Sequence, residues 1–344
     1  MNSNLESNLK QENVGTEAIR HEVPKEMKWK IGNVEIPNRF VLAPMAGVTD
    51  LAFRRLCKEK GAGLLCMEMI SAKAISYKNK NTRALMEIDP VEHPISMQLF
   101  GSEPELMAEV AKEIEEEPFD ILDINMGCPV PKVVNNGEGS ALLKNPDLIV
   151  EIVKSVSSAI QKPLTVKVRI GFENEPVDIV DIARRVEDAG AAAIAVHGRT
   201  RQQFYSGTAD WETIARIKEA VTIPIIGNGD VDSPKKAEAL FQQTGCDAVM
   251  IGRAVEGNPW IFREMNHYFT TGEELARPSL AEVKEMILKH ARAQIQIKGE
   301  FIGIREMRKH VAWYTAGMPH SAGLRRESNN IESYADLEKL LERL

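Results

Sequence analysis

Cysteine is scarce in this 344-residue chain. The four present, Cys57, Cys66, Cys128 and Cys246, fall at no metal-ligand spacing. So few in so long a chain frame no disulfide scaffold, and without paired spacing a zinc or iron–sulfur centre is not expected. Long apolar runs are also missing, and none approaches the ~18 residues of a membrane-spanning helix. The first residues, MNSNLESNLKQENVGTEAIRHEVPKEM, lack the apolar stretch of a secretory signal. Their polarity predicts a loose tail over residues 1–27 and, by default, a cytoplasmic protein with no membrane contact. A GxGxxG turn is absent after the first apolar run, where APMAGVTD stands instead, and this counts against a dinucleotide-binding open sheet.

What is present is a repeated alternation. Eight short apolar runs recur: FVLAPM (40–45), LLCMEM (64–69), ISMQLF (95–100), FDILDI (119–124), LTVKVRI (164–170), AAIAVHG (192–198), IPIIGNG (223–229) and DAVMIG (247–252). Between them lie stretches with apolar residues at three- and four-residue steps, such as EPELMAEVAKEIEEE (103–117) and VDIVDIARRVEDAG (177–190). Near-continuous apolar strands alternating with helices predict a parallel sheet buried on both faces. Eight units predict an α/β protein of the (β/α)8 TIM-barrel class over residues 28–272. NPWIFREMNHYF (258–269) reads as its closing helix. After the break ARPSL come 282–298, 301–317 and 333–344, all helical in pattern, which predicts an all-helical domain over 273–344.

Barrel enzymes place their chemistry where strands end, so those ends name the candidate site. The first run closes with Pro44, Met45 and Ala46, and the third carries Gln98. The fourth leads into NMGCPVP, with Asn125 and Cys128. The fifth carries Lys167 and Arg169, two apart and therefore on one side of a strand. The sixth ends at His197, the seventh at Asn228, Gly229 and Asp230, and the eighth at Gly252 and Arg253. Glycines and an arginine at the last two ends suit a phosphate group. An amide such as Gln98 exchanges two hydrogen bonds with a flat ring edge, and Lys167 beside such a ring stabilises negative charge. Together these describe a pocket for flavin mononucleotide (FMN). Cys128 stands apart from the other three cysteines, which lie inside helix and strand patterns. It sits at a strand mouth, between a glycine that frees the backbone and a proline that fixes it.

VLAPMAGVTD, SMQLFGS, DINMGCPVPKV, KVRIGF, AVHGRTR, IIGNGDV, MIGRA and MRKHVAWY, in this order from about residue 30 to 326, resemble the tRNA-dihydrouridine synthase family, most closely its bacterial B-type members. The resemblance implies an FMN barrel with an added helical domain that grips tRNA. It implies NADPH (or NADH) as reductant and reduction of the C5=C6 bond of particular uridines in the tRNA D-loop. Hydride would pass from flavin N5 to C6, with the proton on C5 coming from Cys128. Carried over by position, FMN contacts would come from Pro44, Met45, Ala46, Gln98, Lys167, Asn228, Gly229, Asp230, Gly252 and Arg253. His197 would touch the flavin ring or phosphate, or else stabilise carbonyl charge. Asn125 would pair with the uracil edge, and Arg169 would face the carbonyl or the nucleotide phosphate. A thiol with a free pKa of ~8.5 stays largely protonated at neutral pH, as a proton donor must. The family resemblance also leans to a monomer.

Charge supports an RNA partner locally, though not globally. The chain carries −7, but residues 284–326 hold nine Lys and Arg against three acids. Arg305, Arg308 and Lys309 lie three or four apart, so one helical face can present them to RNA phosphates. Such contacts would offset the few kcal/mol needed to pull a base from its stack. Three other readings fit parts of the chain. One is a flavin barrel acting on a free pyrimidine, as in dihydroorotate oxidation, which leaves the basic appendage unexplained. Another is an RNA chaperone without chemistry, which leaves Cys128 unexplained. The last is a flavin-free sugar-phosphate isomerase or lyase using Lys167.

Overall fold

Strand residues in the barrel alternate between two environments over most of their length, and this alternation decides which side chains reach the site. The computed structural model describes residues 20–173, 177–318 and 321–344. Two short strands, β1 (Trp29–Ile31) and β2 (Val34–Ile36), form an antiparallel hairpin. Eight parallel strands follow: β3 (Phe40–Leu42), β4 (Leu64–Ser71), β5 (Ile95–Phe100), β6 (Ile121–Met126), β7 (Leu164–Gly171), β8 (Ala193–Thr200), β9 (Ile225–Asn228) and β10 (Ala248–Ile251). They close in chain order, β10 pairing with β3. The (β/α)8 barrel read from the sequence is therefore the fold. Outward residues such as Val166, Val168, Ile194 and Val196 join the core shared with the surrounding helices. Inward residues pack in a second cluster that includes Val41, Leu64, Ile121, Ala193, Ile226 and Ala248.

The hairpin was not anticipated. Its two-residue Gly32–Asn33 loop has Gly32 at φ +55°, a backbone region that suits glycine. Trp29, Ile31 and Ile36 of the hairpin belong to the inward cluster, so the hairpin stoppers the barrel at the end opposite the strand mouths. The barrel interior is thus apolar at its base and can be polar only towards its top. Residues 1–19 of the expected tail lie outside the described residues. Residues 20–27 rest on the barrel: the His21 amide donates to the Gln242 carbonyl (2.8 Å), the Arg39 Nε to the Glu26 carbonyl (2.7 Å), and Val23 and Met27 pack on the core.

Beyond the closing helix Ile261–Thr271 stand helices Leu280–Lys298, Glu300–Tyr314, Ser321–Ser328 and Tyr334–Leu341. The third was not read from the sequence; SAGLRRES is short and holds one Gly, too little for a periodic signal. Ser279 and Glu282 form a capping box that starts the first of these helices. At Gly303 an added Cβ would lie 2.9 Å from the Gln294 backbone, so glycine lets the first two helices touch. The seam with the barrel is equally close. Asp50 caps helix Leu51–Glu59 through Phe53 N (3.0 Å) and also accepts from Gln294 Nε2 (2.5 Å) and Lys298 Nζ (2.6 Å). Burial pushes the Asp50 carboxyl up, but Lys298 and these hydrogen bonds outweigh it and hold the pKa at about 2.

Candidate active site

At the top of the barrel the inward positions turn polar and interlock. Asp123 on β6 is 5% exposed and accepts from Gln98 Nε2 on β5 (2.6 Å) and Thr165 Oγ1 on β7 (2.6 Å). Asn125, one inward step further along β6, donates from Nδ2 to Gln98 Oε1 (2.9 Å). Its Oδ1 accepts from Gly127 N (3.2 Å) and Cys128 N (2.8 Å). A buried amide with both ends used is fixed in orientation. Asn125 thus holds the turn that carries Cys128, a role beyond the base pairing expected of it, and Gln98 is anchored rather than free.

The cysteine loop is held on its other side too. The Cys128 carbonyl accepts from Ser140 N (3.1 Å) and Ser140 Oγ (2.9 Å). Gly139 has φ +61°, and a Cβ there would meet the Cys128 carbonyl at 2.9 Å, so only glycine fits. Arg169, 3% exposed, donates from Nε to the Gly127 carbonyl (3.0 Å) and from Nη1 to the Thr200 and Phe204 carbonyls (2.8 and 2.9 Å). It ties the loop after β6 to the loop after β8. Burial pushes the Cys128 thiol up, and the Val130 amide, Arg169 and Lys167 offset part of that. The thiol therefore keeps its proton at neutral pH.

Cys128 shares one cavity of about 680 Å³ with nearly every residue singled out at the strand ends: Pro44, Met45, Ala46, Gln98, Asn125, Lys167, Arg169, His197, Asn228, Gly229, Asp230, Gly252 and Arg253. Its volume lies within the ~300–1,000 Å³ usual for ligand sites. Positive charge gathers on one side. Burial, then Arg169, lower the Lys167 ammonium to about 8, with Asp123 opposing. Burial, then Lys167, Arg169, Arg199 and Arg253, bring His197 down to about 2, so its imidazole is neutral throughout the physiological range. Asn228 donates to the Met250 carbonyl (2.8 Å), stitching β9 to β10 beneath Gly229. A Cβ on Gly252 would meet nothing closer than Ala43 at 3.7 Å, so what a side chain there would fill is the cavity itself.

Several contributors were not read from the sequence. Arg199 is 1% exposed and donates to the Ser206 and Gly207 carbonyls (3.1 and 2.6 Å) and to the Asp230 carboxylate (2.8 Å). Asp230, at φ +60°, also accepts from Ala209 N (2.7 Å). Its carboxylate holds the loop after β8 and also pairs with Arg253 Nη2 (3.5 Å). Tyr205 on that loop lies under the Arg253 guanidinium (4.5 Å to the ring centre). Arg199 follows His197 by two residues, and that inward spacing was the available signal. The basic helix face is more engaged than expected. Arg308 donates from Nε and Nη2 to the Ile331 carbonyl (3.0 and 2.8 Å), and Lys309 Nζ to the Gly47 carbonyl. Arg305 donates to Phe301 O (2.9 Å) and stacks on the Phe301 ring (3.5 Å). Among the described residues no cluster of His, Cys, Asp or Glu is placed to hold a metal ion, and no helix is long and apolar enough to cross a membrane.

A thiol, a buried lysine and a cationic corner thus line one cavity at the mouth of a closed parallel barrel. The chain belongs to the dihydrouridine synthase family, whose model matches residues 41–344. It is 45% identical to tRNA-dihydrouridine synthase B of Pseudomonas aeruginosa over 303 residues, 88% of this chain and 91% of that protein. It is 44% identical to tRNA-dihydrouridine synthase B of Shewanella oneidensis over 313 residues, 91% and 97% of the two chains. Among solved structures, morphinone reductase superposes with a TM-score of 0.52 at 14% identity, covering 75% of this chain and 92% of that one. Histamine dehydrogenase from Rhizobium sp. 4-9 gives 0.56 at 13%, covering 78% and 51%. At such identity these two show the shared fold alone.

Proposed function

We propose that this protein is an FMN-dependent tRNA-dihydrouridine synthase that uses NADPH, with NADH as the lesser alternative, to saturate the C5=C6 bond of uridines in the tRNA D-loop. One observation carries the reading: Cys128, a protonated thiol on a rigid loop, shares a cavity with a buried cation and a phosphate-suited corner in a chain of this family. Gly229, Gly252 and Arg253 would hold the FMN phosphate. Met45 and Ala46 would wall the ring, with Gln98, Lys167 and His197 along its polar edge. The bound flavin supplies the hydride. Lys167 would stabilise negative charge beside the ring, and an anion there would raise its pKa from about 8. The neutral His197 adds no further cation and offers a hydrogen bond. Asn125, Ser140 and Arg169 fix the height of the Cys128 Sγ above the cavity. That thiol delivers the proton to C5 and is re-protonated from solvent.

Cys128→Ala decides the central point. The variant is expected to bind FMN and tRNA as the parent does. Its formation of dihydrouridine, read by mass spectrometry on tRNA lacking the modification, is expected to fall by about 10²-fold or more, the usual contribution of a positioned proton donor. Undiminished product from the variant would remove Cys128 from the chemistry. A wild-type protein that takes up no flavin would overturn the whole reading.

A further inference from the structure

The loop after β3 forms a tight turn whose apex has no partners of its own. The Met45 carbonyl accepts from Val48 N (2.9 Å) and Thr49 N (3.0 Å), and Thr49 Oγ1 accepts from Met45 N (3.0 Å). This leaves the amide and carbonyl of Gly47, which stands between them at φ +74°. Both are met from outside the turn. The Gly47 N–H donates to Glu68 Oε1 on β4, and the Gly47 carbonyl accepts from Lys309 Nζ on helix Glu300–Tyr314. A Cβ on Gly47 would lie 3.4 Å from that ammonium, an ordinary contact, so glycine is required here by its φ rather than by space. The same turn supplies Met45 and Ala46 to the cavity wall.

The geometry points to Glu68 and Lys309 as a two-sided clamp that holds the Met45–Gly47 wall of the cofactor cavity, so that the helical domain completes the cofactor site. Lys309 is in this role a positioning residue rather than a phosphate contact for RNA. The helix is in turn locked to the barrel by Lys298, which bridges Asp50 (2.6 Å) and Glu306 (2.5 Å). Gly257 reinforces it, since an added Cβ there would clash with the Trp313 backbone at 2.3 Å. A clamp mounted on so firm a seam fixes the turn relative to β4 rather than following its motion. The inference rests on the flavin reading for what the wall contacts, but not for the clamp itself.

The test uses the full chain with Lys309→Met and Lys309→Arg, read three ways. Amide exchange of a peptide spanning residues 44–49, measured without added flavin, is expected to speed at least about threefold in the Met variant, the scale of one lost hydrogen bond to a charged donor at an exposed turn. The FMN dissociation constant, read by quenching of flavin fluorescence, is expected to rise by a similar factor. Binding of tRNA per folded molecule is expected to stay within about twofold, and Arg, which keeps a donor, to restore both other readouts. Unchanged exchange and FMN binding, with weaker and less salt-sensitive tRNA binding, would overturn the clamp and make Lys309 an RNA contact. If the wild type binds no FMN, the flavin reading fails while the exchange result still decides the clamp. Should the Met variant not fold, Glu68→Gln and Glu68→Leu replace it. Gln keeps an acceptor for Gly47 N–H and should exchange like the wild type, whereas Leu should not; equal exchange in the two would sink the proposal.

Discussion

At the scale of the residue, the site is a set of side chains whose partners are mostly other parts of the chain. Cys128 is aimed by three separate supports: Asn125 below, Ser140 beside and Arg169 from β7. Gly139→Ala attacks one of them from a position that does not itself line the cavity. It places a Cβ 2.9 Å from the Cys128 carbonyl at a φ of +61° that disfavours side chains. A loss of about 1–2 kcal/mol is expected from the backbone alone, read as a lower urea midpoint. Dihydrouridine formation should fall further than FMN affinity, because the displaced group is the proposed proton donor. Equal stability and rate in the variant would show that Ser140 and Gly139 do not set the thiol. Residues at strand mouths were legible in the sequence because period two is a local property. Their supports were not. Asp123 meets Gln98 and Thr165 across separations of 25 and 42 residues, and no local pattern pairs them.

At the scale of the element, eight short, near-continuous apolar runs announced the barrel strands, and helix patterns between them announced the layer outside. The hairpin escaped notice because each strand has only three residues, below the length at which alternation is informative. Its Gly-Asn turn was the visible signal. The hairpin matters to function at one remove: it closes the apolar base over which the polar cavity is built. Ile31 is fully buried there. Ile31→Ala is expected to cost about 2–5 kcal/mol, the range for a large-to-small change in a packed core, measured by chemical denaturation. Loss of less than about 1 kcal/mol would mean that the base of the barrel is closed without the hairpin.

At the scale of the molecule, the barrel and the helical region meet through a buried aromatic cluster with two histidines in it. Phe53 stacks on His290 (5.5 Å between ring centres), and His290 and His310 lie edge to face at 4.5 Å. Both nitrogens of His310 are buried without a partner. Burial lowers His290 to about 4, with Asp50 opposing and Lys298 and Lys309 assisting, and it lowers His310 well below 6.5 with His290 assisting. Both imidazoles are neutral in the folded state. As pH falls from about 6.5 towards 4, the unfolded chain takes up protons that the folded chain refuses, so stability is lost through that window. Asp50, held at about 2, keeps its contribution until more acidic pH. Glu306, Tyr314, Cys57, Glu68 and the Lys289–Glu59 pair also stand at this seam. His310→Phe, which keeps the ring and removes the titration, is expected to flatten the fall in Tm between pH 6.5 and 4.5. Parallel Tm–pH curves for the two proteins would refute this.

The amino-acid sequence alone determined the eight-unit barrel, the appended helices and the ring of residues at the strand mouths. Each of these follows from spacing along the chain, and spacing survives without a folded partner. Only the tertiary structure decided what those residues hold. It turned Asn125 and Arg169 towards the cysteine loop, set Arg308 on the Ile331 carbonyl and brought Lys309 across 262 positions to Gly47. A hydrogen bond is made with whatever group folding brings within about 3 Å, and that neighbour is a property of the closed barrel and its seam, not of the local order of residues.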